Sequence, residues 1–538
     1  MANSANLPAP FLGVNEKDPI AAVKSPYCES LINFNVTTAG IELRKGDSKF
    51  DWISPAASGS DSLNMGFFPY GDTKLISPVK STGTGFIDFY DCETGVSGLT
   101  TINSLSTTAF STVYFAGYLF FFPNTSTLAP GFFWNGSAYG TAGYTGSGNF
   151  WPIGGNAYKN RIYLIQLNEA AYWYPTGSVG INAISGACTK IDLTGLTEQS
   201  CTLSSIASFT LSDQTSTQEY QSFIMSNGEV LFYEGSYPDS PTWRQVGKAK
   251  VGQPLYSGST IRYQGDTLLM CDSGVISLRA LFLAGSENAE NLSANKNMQN
   301  SWRRLIQGIR LTLNNPVGPI NPGLTNGTIR GIYDPKSDRI IISFPFRLNR
   351  DTGVVTARSF YFVFYTPLQA WFFHESEGDR IDDICVYKNG VRLLAQTINQ
   401  STGDLELMTY TKEGSSNYQD RNSADTADVS YNFEMISAPV PFPKTAVYEA
   451  TFIEPILESD LYDTTLWYFV ADFGRQTSTE QTTNAATTSV AKPGVNVGMQ
   501  NITYVQVQIL GVTAAAKTVG LYLYSYNVWY DSGDKASR

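Results

Sequence analysis

The stretch WFFHESEGD, residues 371–379, contains the one histidine among 538 residues. Glu375, Glu377 and Asp379 follow His374 closely. An imidazole beside carboxylates is material for acid–base catalysis or for a metal site. A Ser/His/Asp triad would have to recruit His374, since there is no second histidine. The same run, with Ser376 and Gly378 between the acids, also has the composition of a solvated acidic turn, and that is the reading adopted. Asp382 and Asp383 could supply one carboxylate of a glycosidase pair, but a sequence shows neither the partner nor the separation.

The remaining candidates are weaker. DSGDKAS, residues 531–537, lacks the full spacing of a calcium loop. There is no P-loop and no GxSxG elbow. Basic residues cluster only at Arg303-Arg304 and at Arg339. Asn35-Val36-Thr37 fits a glycosylation triplet, which matters only in a secreted chain. Cys28, Cys92, Cys188, Cys201, Cys271 and Cys385 form no CxxC pair and have no histidine cluster beside them. Zinc and a disulfide scaffold are therefore not expected, and buried thiols in a reducing cytosol are. The expectation is a protein that is not an enzyme, with no catalytic, cofactor-binding or metal residue and no cofactor.

Positioning elements are read from periodicity. Short runs of β-branched and aromatic residues alternate with polar turns along most of the chain. Turns are expected at Gly117, Lys159-Asn160, Asn227-Gly228, Gly265-Asp266, Asp272-Ser273-Gly274, Asp334-Pro335-Lys336-Ser337, Thr366-Pro367, Asn389-Gly390 and Thr402-Gly403-Asp404. Several of the gaps approach the length of a propeller blade, ~40–50 residues. Four strands per cycle would bury each sheet against its neighbours. Trp243 reads as an anchor between blades. The competing reading is a set of unrelated β-sandwiches.

Residues 285–315 break the pattern. Met298, Trp302, Leu305 and Ile306 fall at helical spacing and predict a helix near 297–308. The polar run near 412–430 marks a boundary, and 475–496 reads as a mobile loop. The expected fold is thus all-β, with a β-propeller-like domain over 51–420, a short helical insertion near 285–327, and a β-sandwich-like platform over 421–538. Residues 1–50 are expected to pack with the platform.

Composition narrows the partners. Net charge is −11 and charged residues make up 15%, against ~25% in ordinary soluble domains. Such a chain does not bind nucleic acid by neutralising phosphates, though it could line a conduit through which DNA slides. No charged residue lies between Glu93 and Lys159, which suits sheets covered by neighbours in an assembly. The longest apolar run, near 113–122, is too short to span a bilayer as a helix, which takes about 20 residues. The opening MANSANLPAP has no signal-peptide character, so synthesis in a cytoplasm without classical export is expected.

Several stretches in order carry a further signal. GVNEKDP near 13, SLINFN near 30 and GIELRKG at 40–46 give a GxN-x-x-DP start, an L-x-N middle and a G-(V/I)-x-x-R-x-G close. YKNRIYLI, AAYWYPTGSVGINAISGACTKIDL, SNGEVLFYEGSYPDSPTWRQVGKAKVGQPL, GSTIRYQGDTLLMCDSGVISL and YTPLQAWFFHE follow, the block at 227–254 being the most specific. Over 13–375 the chain resembles the nozzle or tail-hub (tail tube) proteins of short-tailed, podovirus-like bacteriophages. The resemblance implies a propeller on a sandwich-like platform. It implies a homo-hexameric ring below the portal and the head-to-tail adaptor, in contact with tail fibre or spike proteins. Such a ring retains the genome in the virion and passes viral DNA during ejection, after assembly in the host cytoplasm. Two other readings stay open: a carbohydrate-binding or -cleaving propeller using Asp382 or Asp383, and a receptor-binding tail fibre component. The fibre reading lacks heptads and ~20-residue repeats.

Overall fold

The fold is described from a computed structural model. It describes residues 3–16, 23–44, 48–49, 62–64, 66–71, 73–81, 87–92, 101–102, 110–123, 130–147, 150–176, 184–198, 201–212, 216–288, 298–312, 329–344, 346–348, 355–356, 360–375, 381–387, 392–398, 405–409, 420–421, 428–429, 431–441, 447–459, 465–471, 476–477, 481–482, 487–491, 495–502, 504–513 and 521–533.

The chain is almost entirely β, and hairpins follow one another along it. Among the described residues seven successive sheets form a ring. Their innermost strands are Phe68–Tyr70, Phe110–Phe115, Pro152–Tyr158, Leu203–Ser212, Thr260–Tyr263, Arg330–Asp334 and Ile381–Tyr387. From sheet two to sheet seven each sheet packs on the next through these strands or their immediate neighbours, and Ile381–Tyr387 returns to Phe68–Tyr70. The first two sheets meet through Phe89, Phe110 and Phe121, with ring centroids 5.1–6.2 Å apart. This is a propeller, reached without a named blade signature.

Local chemistry explains the hairpins. Asn227-Gly228 joins Thr217–Met225 to Glu229–Glu234. Gly228 has φ +86, and a Cβ there would collide with the Val251 carbonyl oxygen, so only glycine fits this turn. Trp243 anchors two sheets, with its ring 5.8 Å from Tyr163 of sheet three and 5.3 Å from Tyr233 of sheet four. The expected turns at Gly117, 159–160, 265–266, 272–274, 334–337 and 366–367 fall between or at the ends of paired strands. Those at 389–390 and 402–404 lie outside the described residues.

Sheet five has three strands, ending at Gly274–Ser277. The helix α1, Leu278–Asn288, follows directly. Its Phe282 ring lies 4.7–5.7 Å from Phe209, Tyr220 and Phe232 of sheet four. Helix α2, Gln299–Thr312, starts two residues later than expected and ends four residues later. Its buried face carries Trp302, Leu305, Ile306 and Ile309, and Trp302 meets Phe344 and Phe362 of sheet six at 5.5 and 5.3 Å. The Trp302 indole donates to the Cys271 carbonyl at 2.9 Å. At the N-terminal end of α2, Glu16 accepts from the Ser301 backbone N–H at 2.8 Å and from its hydroxyl at 2.5 Å. That carboxylate complements the positive end of the helix dipole.

Two further sheets form the sandwich-like platform. One contains Phe34–Val36, Ile41–Leu43, Leu521–Gly533, Val447–Ser459 and Thr487–Ala491, with Asn3–Pro8 and Val495–Ile502 on its flanks. The other continues sheet six beyond Ala370–Glu375 through Cys28–Ile32 to Asn432–Ser437, Tyr504–Val512 and Thr465–Ala471. Phe34 and Phe433 meet edge-on at 5.7 Å, and Leu31, Met435, Val507, Ile509, Leu523 and Val528 fill the same core.

Two expectations change. Strands, not a loop, occupy the described part of 475–496, because Thr487–Ala491 and Val495–Ile502 pair with Val447–Ser459. Threonine and valine there suit a pleated, paired edge despite their polar neighbours. Residues 48–49, expected with the platform, pair with Met408 and Thr409 and complete sheet seven. Of the boundary near 412–430, residues 420–421 pair with 428–429 and most of the rest lies outside the described residues.

Trp302 is the anchor between α2 and sheet six, so Trp302→Ala should lower unfolding stability by about 3–5 kcal/mol. Urea denaturation followed by intrinsic fluorescence measures this.

Candidate functional site

His374 and Glu375 end the strand Ala370–Glu375. They are 1% and 4% exposed, which overturns the solvated acidic turn for these two residues. The cause is the preceding Trp371-Phe372-Phe373 run, which carries the strand into the core before the acids begin. Glu377 and Asp379 lie outside the described residues. Burial first, then the Arg44 and Arg339 charges, hold the His374 imidazole well below its ordinary range. Its Nε2 lies 3.3 Å from the Phe34 carbonyl oxygen. A carbonyl only accepts, so Nε2 carries the proton of a neutral ring.

The surroundings form a buried polar junction. Asn33, in the left-handed region at φ 60, accepts at Oδ1 from Arg44 Nε at 2.9 Å and from the Glu375 backbone N–H at 2.8 Å. Its Nδ2 donates to the Asn432 carbonyl at 2.6 Å, and its backbone N–H to the Phe373 carbonyl at 2.8 Å. Arg44 is 1% exposed, donates to the Glu375 carbonyl at 3.0 Å and lies 4.0 Å over the Tyr431 ring. The Tyr431 hydroxyl donates to the Arg44 carbonyl. One asparagine and one arginine thus join the N-terminal segment, the propeller and the platform.

Other motif positions behave alike. Gly13 has φ +74, and a Cβ would collide with the Trp371 backbone, where Val14 donates to the Trp371 carbonyl at 2.9 Å. Glu229 is 2% exposed; Lys248 lies 2.6 Å from it, Asn227 donates at 2.9 Å and the Glu198 backbone N–H at 2.8 Å. Burial raises its proton affinity, but these partners together hold the carboxyl below its ordinary value. None of these residues lines the cavity described below.

The remaining candidates also take structural places. Asp382 and Asp383 lie in Ile381–Tyr387, the inner strand of sheet seven. Asp531–Gly533 of the DSGDKAS run continues the long strand Leu521–Gly533, and the rest is outside the described residues. Asn35 is buried, which leaves no room for a glycan. Arg303 and Arg304 lie on the exposed side of α2, and Arg339 lies 5.9 Å from both the Tyr365 and Phe372 rings. All six cysteines are buried and none is in a disulfide, and burial pushes Cys188 up to about 12 and Cys271 to about 11. Among the described residues no group of three His, Cys, Asp or Glu is placed to hold a metal ion. None of their helices is long and apolar enough to cross a membrane.

The concave site lies elsewhere, at the centre of the ring. A cavity of about 480 Å³ is lined by all seven innermost strands, including Phe68, Tyr114, Asn156, Ser205, Arg262, Arg330 and Ile384. Arg262 Nη2 donates to Asn156 Oδ1 at 3.0 Å, and Arg330 lies 5.3 Å over the Phe68 ring. Burial raises the nearby Glu219 carboxyl above its ordinary value, against the pull of Lys159 and Arg262. Sequence reasoning missed the two arginines because they lie 68 residues apart and neither has a basic residue beside it in the sequence.

No protein-family model matches the chain, and no curated protein matches it. Among solved structures it is similar to the β-propeller domain of Cps50 (Swd1) from Myceliophteria thermophila, at 8% identity and TM-score 0.39, over 68% of this chain and 99% of that one. It is similar to Raptor from Chaetomium thermophilum at 10% identity and TM-score 0.37, over 68% of this chain and 30% of that one. It is also similar to the computationally designed Ika8 protein, at 8% identity and TM-score 0.35, over 65% and 98%. At such scores the propeller assignment rests on the sheets of this chain itself.

Two outcomes are expected. A histidine with a depressed folded value binds its proton only on unfolding, so stability should fall as pH drops below the ordinary value of about 6.5, by up to about 1.4 kcal/mol per pH unit. His374→Leu should flatten the profile between pH values of about 6.5 and 5, measured by chemical denaturation; an unchanged slope would refute the assignment. Asn33→Ala removes the Oδ1 acceptor of Arg44 Nε and of the Glu375 N–H and should cost about 2–4 kcal/mol, read from the denaturation midpoint.

Proposed function

We propose that the chain is a structural subunit of the nozzle ring of a short-tailed bacteriophage, a gated conduit that retains and then passes the genome. One observation carries the reading. Stretches in a fixed order over 13–375 resemble that family, and Gly13, Asn33, Arg44 and Glu229 from those stretches are joints of the fold. A propeller joined to a platform by a shared sheet suits a ring subunit, since neither part needs a hinge to carry load. The net charge of −11 suits a wall past which DNA phosphates slide without adhering. The proposed partners are further copies in a homo-hexamer, the head-to-tail adaptor and tail fibre or spike proteins.

Cryo-electron microscopy of purified particles tests this directly. The expected result is this chain in a ring around the distal tail channel, with the copy number of a hexamer by quantitative mass spectrometry. Absence of the chain from particles, or its presence there only as isolated monomers, would sink the reading.

A further inference from the structure

We propose that Asn135 is a site of intramolecular deamidation, where a turn of sheet two converts its own asparagine into aspartate or isoaspartate. Asn135-Gly136-Ser137-Ala138 joins Phe132–Trp134 to Tyr139–Thr141, the two outer strands of that sheet. Asn135 is exposed, so water reaches it. Its Oδ1 accepts from the Ser137 backbone N–H at 2.9 Å, the Ala138 backbone N–H at 2.7 Å and the Ser137 hydroxyl at 3.0 Å. A backbone N–H only donates, so the atom held there is the oxygen, and the amide nitrogen lies outside this set of donors.

Deamidation needs a backbone nitrogen that can attack, a carbonyl that can take up charge and an amine that can leave. Gly136 supplies the nitrogen. Its N–H makes no hydrogen bond among the described residues, and the missing side chain leaves the approach open. The nitrogen gives its proton to water and bonds to Asn135 Cγ. The negative charge that builds on Oδ1 falls on three donors already in place, which is the arrangement of an oxyanion hole. The Cγ–Nδ2 bond then breaks, and ammonia leaves with a proton from water. Water opens the five-membered imide at one carbonyl or the other, giving aspartate or isoaspartate. One water is consumed, one ammonia is released, and nothing is oxidised.

Asn227-Gly228 has the same residue types in the opposite setting. Asn227 Nδ2 donates to Glu229 at 2.9 Å and the Gly228 N–H donates to the Met225 carbonyl at 3.0 Å, so leaving group and nucleophile are both engaged. Asn326-Gly327 and Asn389-Gly390 lie outside the described residues. Conversion at Asn135 places a negative charge in a stretch that holds none between Glu93 and Lys159. The new charge lies beside Tyr70, whose hydroxyl packs on Gly136 and donates to the Gly117 carbonyl at 2.7 Å, tying sheet one to sheet two. Isoaspartate also lengthens the backbone between Trp134 and Tyr139, which are paired.

Peptide mapping by mass spectrometry tests this on the full chain, incubated at mildly alkaline pH either folded or in guanidinium chloride. In the folded chain Asn135 should deamidate about tenfold or more faster than Asn227, and in the denatured chain the two rates should converge. Ser137→Ala, on the exposed turn, removes one of the three donors and should slow Asn135 about tenfold. The proposal is overturned if folded Asn135 lasts as long as Asn227, if unfolding leaves the ratio of the two rates unchanged, or if Ser137→Ala deamidates as the native chain does. The nozzle reading is untouched by either result, since its test is particle location.

Discussion

Asn33 is the point through which the rest of the molecule is joined. Its side chain and backbone hold Arg44, the end of sheet six and the platform strand beginning at Asn432. Each bond alone contributes about 1 kcal/mol net. Their weight comes from the alternative, since breaking one leaves a buried N–H without its acceptor. The same segment reaches further. Glu16 caps α2, Cys28–Ile32 extends sheet six, and Ser48–Lys49 completes sheet seven. Fewer than fifty residues thus supply parts to a helix, a propeller and a sandwich, none of which is whole without them.

Aromatic packing does the rest within the ring. Sheets three and four meet through Tyr158, Tyr163, Phe223, Tyr233 and Trp243, stacked or edge-on at 5.3–6.5 Å. Large flat side chains fill the wedge between twisted sheets and add specific ring contacts to the burial of area. Where a sheet lacks its fourth strand, Phe282 of α1 takes up the role from a helix. A composition rich in Phe and Tyr and poor in charge is therefore a consequence of building a core from sheet faces.

Much of this was legible in the sequence, because hairpin turns are local. Asn227-Gly228 and Lys159-Asn160 take the backbone angles their residue types prefer, whatever packs around them. Trp243 and the apolar spacing of Trp302, Leu305 and Ile306 were legible for the same reason. Helix α1 was not, since LRALFLAG is apolar apart from Arg279 and follows a strand without a break. His374 was misread because the acidic residues after it suggested solvent, whereas burial depends on sheet six being extended by a strand from residues 28–32. The central cavity was invisible in one dimension, as seven strands from across 320 residues meet there.

The pairing of Asn3–Pro8 with Leu521–Gly533 has a consequence in time. Asn6 and Asn527 are hydrogen-bonded across 521 positions of chain. At ribosomal rates of 5–20 residues per second, synthesis of the intervening chain takes roughly 25–100 s. Throughout that interval the N-terminal strand has no partner to meet, and sheet seven lacks a strand that must also wait for residues near 408. Long-range closure of this kind makes folding slow and leaves strand edges open. The nascent chain is thus exposed to wrong association with other copies until Leu521–Gly533 has been made and can pair with Asn3–Pro8.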